Sequence, residues 1–128
     1  MLPNGKNLYL KLEQFNPTFS IKDRTALGLI QAAFKSGKLK PREGTVIEYT
    51  SGNLGKSLAM LGAAMDFNVI IVVDPKVSTT SLNLYKAYGA QVDMVTIPDQ
   101  QGGYQQAHIY RIKELSKTSC RCLLAKSV

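Results

Sequence analysis

Two short stretches hold the residue types that suit chemistry: Thr50-Ser51-Gly52-Asn53-Leu54-Gly55, and Lys22 between Ser20-Ile21 and Asp23. The first follows an apolar strand pattern, Val46 to Tyr49, and precedes a helical one, Leu58, Met60-Leu61 and Ala63 to Met65. A strand that ends in a small, Gly-bearing turn and opens a helix leaves amide donors without partners. The positive end of the helix dipole points the same way, so the turn is a cradle for an anion. Ser51 and Asn53 add side-chain donors, and Gly52 and Gly55 let the backbone approach a ligand. The same residues also make an ordinary βα turn with Ser or Asn as N-cap. In the second stretch, a lysine sheltered at a helix start loses its proton more readily than a surface one. It can then form an imine with an aldehyde cofactor. Most lysines are solvated surface groups, so Lys22 gains meaning only from its company.

A nucleotide-binding P-loop is one alternative. Gly52 to Ser57 ends in Gly-Lys-Ser after a strand, and Val69 to Asp74 resembles an apolar strand ending in a magnesium-binding Asp. The motif needs a glycine six residues before Lys56, five before Gly55, and that position is Thr50. A loop that wraps phosphate with successive N–H groups is badly served by that change.

The elements that must position these residues follow from periodicity. Leu8, Leu10 and Leu12 alternate with polar or amphipathic neighbours, which predicts a strand over Asn7 to Leu12. Asn16-Pro17-Thr18 is turn chemistry. Ser20 with Asp23 resembles a capping box, and a helix is expected to run to about Ser36, ended by Gly37. After the Thr45–Tyr49 strand and its helix come a strand at Asn68 to Val73, a helix at Ser78 to Tyr88, a strand at Gln91 to Ile97 and a helix at Tyr104 to Leu115. The order βαβαβαβα predicts a three-layer αβα domain with a mostly parallel four-stranded sheet. Ligands of such sheets sit beyond the carboxyl ends of strands, where the Thr50 turn falls.

With 128 residues the chain suits one domain with a real core. Its longest apolar run, Val69 to Val73, is too short to span a bilayer, and the N-terminus lacks a signal-peptide pattern, so a cytoplasmic protein is expected. The net charge of +7 raises nucleic-acid binding, but the basic residues are dispersed. The one cluster, Lys35, Lys38, Lys40 and Arg42, closes a helix where cations complement the dipole, so no nucleic-acid partner is expected. Cys120 and Cys122 are too close for an easy disulfide, and with His108 alone they cannot complete a zinc set; no metal is expected. His108 reads as a surface or satisfied histidine, Tyr85, Tyr88, Tyr104 and Tyr110 as core-edge groups, and Glu48 as a strand-end carboxylate.

Together, two segments carry a resemblance. Asn16 to Arg24 (Asn-Pro-Thr-Phe-Ser-Ile-Lys-Asp-Arg) is similar to the cofactor-lysine segment of the cysteine synthase (β-synthase) family, pyridoxal-phosphate enzymes of the tryptophan-synthase-β fold. Glu48 to Gly55 is similar to that family's substrate loop, in family order and spacing. The resemblance implies that Lys22 binds the cofactor and later removes the substrate's α-proton, and that Asn53 hydrogen-bonds the cofactor's 3′ oxygen. Thr50, Ser51, Gly52 and Asn53 would hold the carboxylate of an amino-acid substrate. It implies β-replacement on an O-activated L-serine, with O-acetylserine sulfhydrylase as one form. Leu54, Asp74-Pro75-Lys76 and Pro98-Asp99 with Gly102-Gly103-Tyr104 are similar to the siderophore-type 2,3-diaminopropionate branch, which joins O-phospho-L-serine to L-glutamate.

The family's chains are longer and have two domains. Residues 1–115 resemble the smaller, mobile one, and 116–128 form a tail without family pattern. A loop for the cofactor phosphate and a partner for the pyridine nitrogen are not evident. The chain alone is therefore expected not to turn over: it would be a truncated remnant or binding module, exposing apolar surface through which it oligomerises. Phe19 stands where the family usually has Gly, which predicts a differently shaped backbone, and Lys56 where an apolar residue is usual.

Overall fold

A computed structural model describes residues 4–100, 102–118 and 122–124. Four strands, β1 (Thr45–Tyr49), β2 (Asn68–Val73), β3 (Gln91–Met94) and β4 (Cys122–Leu124), form a sheet of order β3-β2-β1-β4. Every pairing is parallel; Thr45 to Tyr49 face Asn68 to Val72, so β1 and β2 end at one edge. Four α-helices accompany them: α1 (Lys22–Lys35), α2 (Asn53–Met65), α3 (Thr79–Ala87) and α4 (Gln105–Thr118).

The pleat divides the strands between two cores. Val46, Val69, Ile71 and Val73 point towards α2 and α3, where they meet Leu54, Leu58, Leu61 and Tyr85. Ile47, Ile70 and Val72 point to the other face and meet Ile112 of α4. Buried on both faces, β2 reads as a continuous apolar run, as central parallel strands do. The architecture is the expected αβα sandwich. Helix α1 lies outside the layer next to the sheet and packs on α2, placing Ala26, Ile30 and Ala33 in the same core. That is why α2 buries so much of its surface: it is covered by α1 on one side and by sheet and α3 on the other.

Two expectations are corrected. Asn7 to Leu12 is not a strand: no ladder includes it, and only a 3-10 turn at Glu13–Phe15 follows. Alternation suits a pleat, but a strand needs a neighbour for its N–H and C=O groups. Leu8, Tyr9, Leu10, Leu12 and Phe15 are instead exposed. The fourth strand comes from within 116–128, where Cys122–Leu124 pairs with β1, and α4 runs past Leu115 to Thr118. The element order is therefore αβαβαβαβ. Strand β3 ends at Met94 instead of Ile97. Cys120 lies outside the described residues. No helix among the described residues is long and apolar enough to cross a membrane.

Candidate active site

The turn between β1 and α2 is built from the sheet outward. The Thr50 amide donates to the Val72 carbonyl (3.1 Å), which carries the ladder one residue past β1. The Thr50 hydroxyl then accepts from the Gly52 amide (3.2 Å), folding the turn back. Gly52 is the N-cap of α2, and no side chain caps the helix start. Gly55, one turn in, is a packing requirement. A Cβ there would sit 2.9 Å from Thr50 Cγ2 and 3.0 Å from the Tyr85 ring.

Tyr85 is wholly buried, and its hydroxyl donates to the Gly52 carbonyl (2.9 Å). Burial pushes its hydroxyl up from the ordinary tyrosine value, so it stays a donor. It is thus a support of the turn, not the core-edge group that the sequence suggests. Ser51 and Asn53 are exposed and Thr50 and Gly52 half-buried, so the loop's donors are accessible. Lys56 donates to Asn53 Oδ1 (3.2 Å), which gives a cation near the positive end of the helix dipole a local acceptor.

Lys22 is the first residue of α1. It is exposed, not sheltered, and its ammonium makes no hydrogen bond or ion pair with a described residue. The expected capping box is also corrected. Ile21 is the N-cap, while the Ser20 hydroxyl accepts from the Lys22 amide (3.1 Å). The Asp23 side chain does not reach back to the Ser20 amide, though its own amide donates to the Ser20 carbonyl (3.2 Å). Its Oδ2 accepts from the Thr18 amide (2.8 Å), and its Oδ1 from the Thr18 hydroxyl and from Ser57 Oγ of α2 (2.5 Å). Burial raises the Asp23 carboxyl, but the bonds from Ser57, the Thr18 hydroxyl and the Thr18 amide outweigh it and hold the group below its ordinary value. This network joins the turn before Lys22 to the helix that follows the Thr50 loop. Phe19 has φ of +62°, the left-handed region that glycine favours, and its ring is exposed. The substitution at this position therefore appears as backbone strain under a bulky side chain.

Sequence reasoning missed Asp23, Ser57 and Tyr85. A signal existed for the first: Asp23, Ala26, Ile30 and Ala33 have helical spacing, so Asp23 lies on the buried stripe of α1. A buried carboxylate on such a stripe must find donors.

On the opposite face of the sheet, His108 is buried and stacks against Tyr49 (5.5 Å) and Tyr104 (6.2 Å). Its Nε2 lies 3.8 Å from Asp74 Oδ2 without a hydrogen bond, so it is not the surface or satisfied group expected. Glu48 is buried as well. An open groove of about 730 Å³ between β3 and α4, lined by Met94, Ile97, Asp99 and Tyr110, includes neither Lys22 nor the Thr50 loop. Among the described residues, no group of three or more His, Cys, Asp or Glu side chains suits a metal.

The residues present fit pyridoxal phosphate in part. An exposed primary amine suits its aldehyde, and a loop of donors at an uncapped helix start suits the carboxylate of its amino-acid substrate.

A hydrogen sulfide-producing enzyme from Fusobacterium nucleatum superposes with a TM-score of 0.80 at 35% identity, over 91% of this chain and 36% of that one. An O-acetylserine dependent cystathionine beta-synthase from Helicobacter pylori gives 0.77 at 36% identity, again over 91% of this chain and 36% of the other. O-ureido-L-serine synthase gives 0.69 at 32% identity, over 83% of this chain and 33% of the other. The chain thus spans about a third of the length of these enzymes. The family model described as pyridoxal-phosphate dependent enzyme matches residues 2–127, almost the whole sequence. That match takes in the Lys22 segment, the Thr50 loop and the β4 stretch alike, and the chain belongs to the pyridoxal-phosphate dependent enzyme family.

Proposed function

We propose that this chain supplies the cofactor-lysine and carboxylate-binding part of a site for β-replacement on an O-activated L-serine. The observation that carries the reading is the fastening of the Lys22 turn to the helix that follows the Thr50 loop, through Thr18, Asp23 and Ser57. An amine and an anion cradle on one rigid support are what an amino-acid substrate needs. Similarity to enzymes named for O-acetylserine and O-ureido-L-serine favours a serine derivative with a leaving group on its oxygen.

In this reading the Lys22 amine binds the cofactor and later takes the substrate's α-proton. The Thr50 hydroxyl accepts from the Gly52 amide and keeps its own proton to donate, so Thr50, Ser51 and the backbone amide at Asn53 grip the carboxylate, with Gly52 letting the backbone come close to it. With its Oδ1 engaged by Lys56, Asn53 offers its NH₂ to the cofactor's 3′ oxygen. Bound pyridoxal phosphate supplies the electron sink. O-Phospho-L-serine with L-glutamate is the preferred substrate pair, argued from Leu54 and the Asp74 and Gly102 stretches; O-acetylserine is the alternative. Residues 1–115 act as the mobile small domain. Taken alone, the chain binds without turnover and self-associates through the exposed apolar residues between Leu8 and Phe19.

The test is a visible absorption spectrum of the chain with added pyridoxal phosphate, beside Lys22→Ala. A band in the parent that the variant lacks is expected, as is its perturbation by O-phosphoserine or O-acetylserine. Indistinguishable spectra of the two proteins would reject Lys22 as the cofactor lysine.

A further inference from the structure

One carboxylate makes the junction between the first turns of α1 and α2. Asp23 is buried against α2, and Ser57 is its partner across 34 positions of sequence. The Ser57 hydroxyl has a choice of acceptor, because its oxygen lies 2.5 Å from Asp23 Oδ1, 3.1 Å from the Thr18 hydroxyl oxygen and 3.1 Å from the Asn53 carbonyl. A hydroxyl has one proton, and a charged carboxylate is the stronger acceptor. While Asp23 is ionised, Ser57 therefore reaches across to α1. When Asp23 takes a proton, Ser57 turns to the Asn53 carbonyl of its own helix, a better acceptor than the Thr18 hydroxyl, in the back-bonding that serines adopt there.

We propose that Asp23 is a positioning residue: its carboxylate, through Ser57, fastens the Lys22 turn to the Asn53–Ser57 turn and holds the lysine and the donor loop in one register. The inference rests on the reading of Lys22 and the Thr50 loop given above. It adds a control to that site, since a single proton on a group that touches neither substrate nor cofactor undoes the register. A core carboxylate serving only its own turn would bond Thr18 and leave α2 indifferent to its charge.

An acid titration of the ¹⁵N-labelled chain, followed through its amide shifts, separates these cases. The amides of Lys22, Asn53 and Gly55 are expected to move with one midpoint. Asp23→Asn removes that midpoint from both turns. Ser57→Ala leaves it at Thr18 and Lys22 and removes it from Asn53 and Gly55. Shifts confined to Thr18 through Lys22 in the parent, or α2 shifts that persist in Ser57→Ala, overturn the proposal.

A second readout is the rate at which the visible band forms with pyridoxal phosphate. Ser57→Ala should slow it about tenfold, as small misplacements of reacting groups do, and Ser57→Thr, which keeps the hydroxyl, should restore it. Equal rates in all three proteins overturn the positioning role. If the parent forms no Lys22-dependent band, the cofactor reading fails, and the amide shifts alone decide whether the fastening exists.

Discussion

Two turns in this chain do the same job by different physics. Each presents the start of a helix, and neither helix has a side-chain cap at its N-cap. The Thr50–Gly52 turn is held by the core: a ladder bond to β2, the contact of Gly55 with Thr50 and Tyr85, and the Tyr85 hydroxyl on the Gly52 carbonyl. The Asn16–Ile21 turn has no strand before it and carries a left-handed Phe19; a buried carboxylate fastens it to α2. A turn held by packing tolerates changes of pH and fails when volume is lost. A turn held by a charge tolerates shape changes at its rim and fails on protonation.

The largest effect expected from this contrast is at Tyr85. Truncating a wholly buried aromatic removes the wall of Gly55 and orphans the Gly52 carbonyl, so Tyr85→Ala should lose about 3–5 kcal/mol in urea unfolding. Tyr85→Phe keeps the volume and should lose only about 1 kcal/mol. Similar losses for the two variants would show that the hydroxyl, not packing, holds the first turn.

Next comes the charge. Ser57→Ala removes a hydrogen bond to a buried carboxylate and should cost about 1.5–3 kcal/mol at neutral pH. Because the folded-state value of Asp23 is lowered, its ionised form contributes stability above the unfolded value, and that contribution drains away as pH falls through the folded one. The parent should therefore lose stability on acidification below about pH 4, and Ser57→Ala should lose less. Thermal melts across that range measure it. Parallel pH profiles would mean that the second turn is not held by charge.

A smaller change of opposite sign is expected at Phe19. Glycine is at ease at φ of +62°, whereas an exposed phenylalanine there gains little packing in return. Phe19→Gly should raise stability by about 1 kcal/mol, partly offset by the greater freedom of glycine in the unfolded chain. A loss in chemical denaturation would mean that the ring is packed in solution and the strain is offset.

The contrast also explains what the sequence could tell. Helices α1 to α4 and strands β1 to β3 were legible because their apolar spacing matches what the two cores demand, as with Val46, Val69 and Ile71 against Leu58. The Lys22 segment and the Thr50 loop could be proposed as a site because the chemistry they offer is local. The fastening between them was not: Asp23 and Ser57 are 34 positions apart, and only the packing of α1 on α2 makes them partners. Strand β4 was hidden for a similar reason. Cys122–Leu124 spans three residues, too few for a period, and β1 makes it a strand.

Leu8 to Leu12 is the reverse case, a period without a partner, and the smallest effect on stability is expected there. Thr50 inherits its position from β1, whereas the chain reaching Asn16 brings none from a sheet. Leu10 is 75% exposed and contributes nothing to either core, so Leu10→Asp should leave the unfolding free energy within about 0.5 kcal/mol of the parent. Its effect should appear in association instead. An exposed run of Leu8, Tyr9, Leu10 and Leu12 is apolar surface that a second copy can cover, and a charge in its middle opposes that. Sedimentation velocity over a concentration series should show the parent self-associating and Leu10→Asp remaining monomeric. A parent that is monomeric throughout would remove the segment as an interface, and a large loss of stability in the variant would mean that the strand pattern is satisfied within the chain after all.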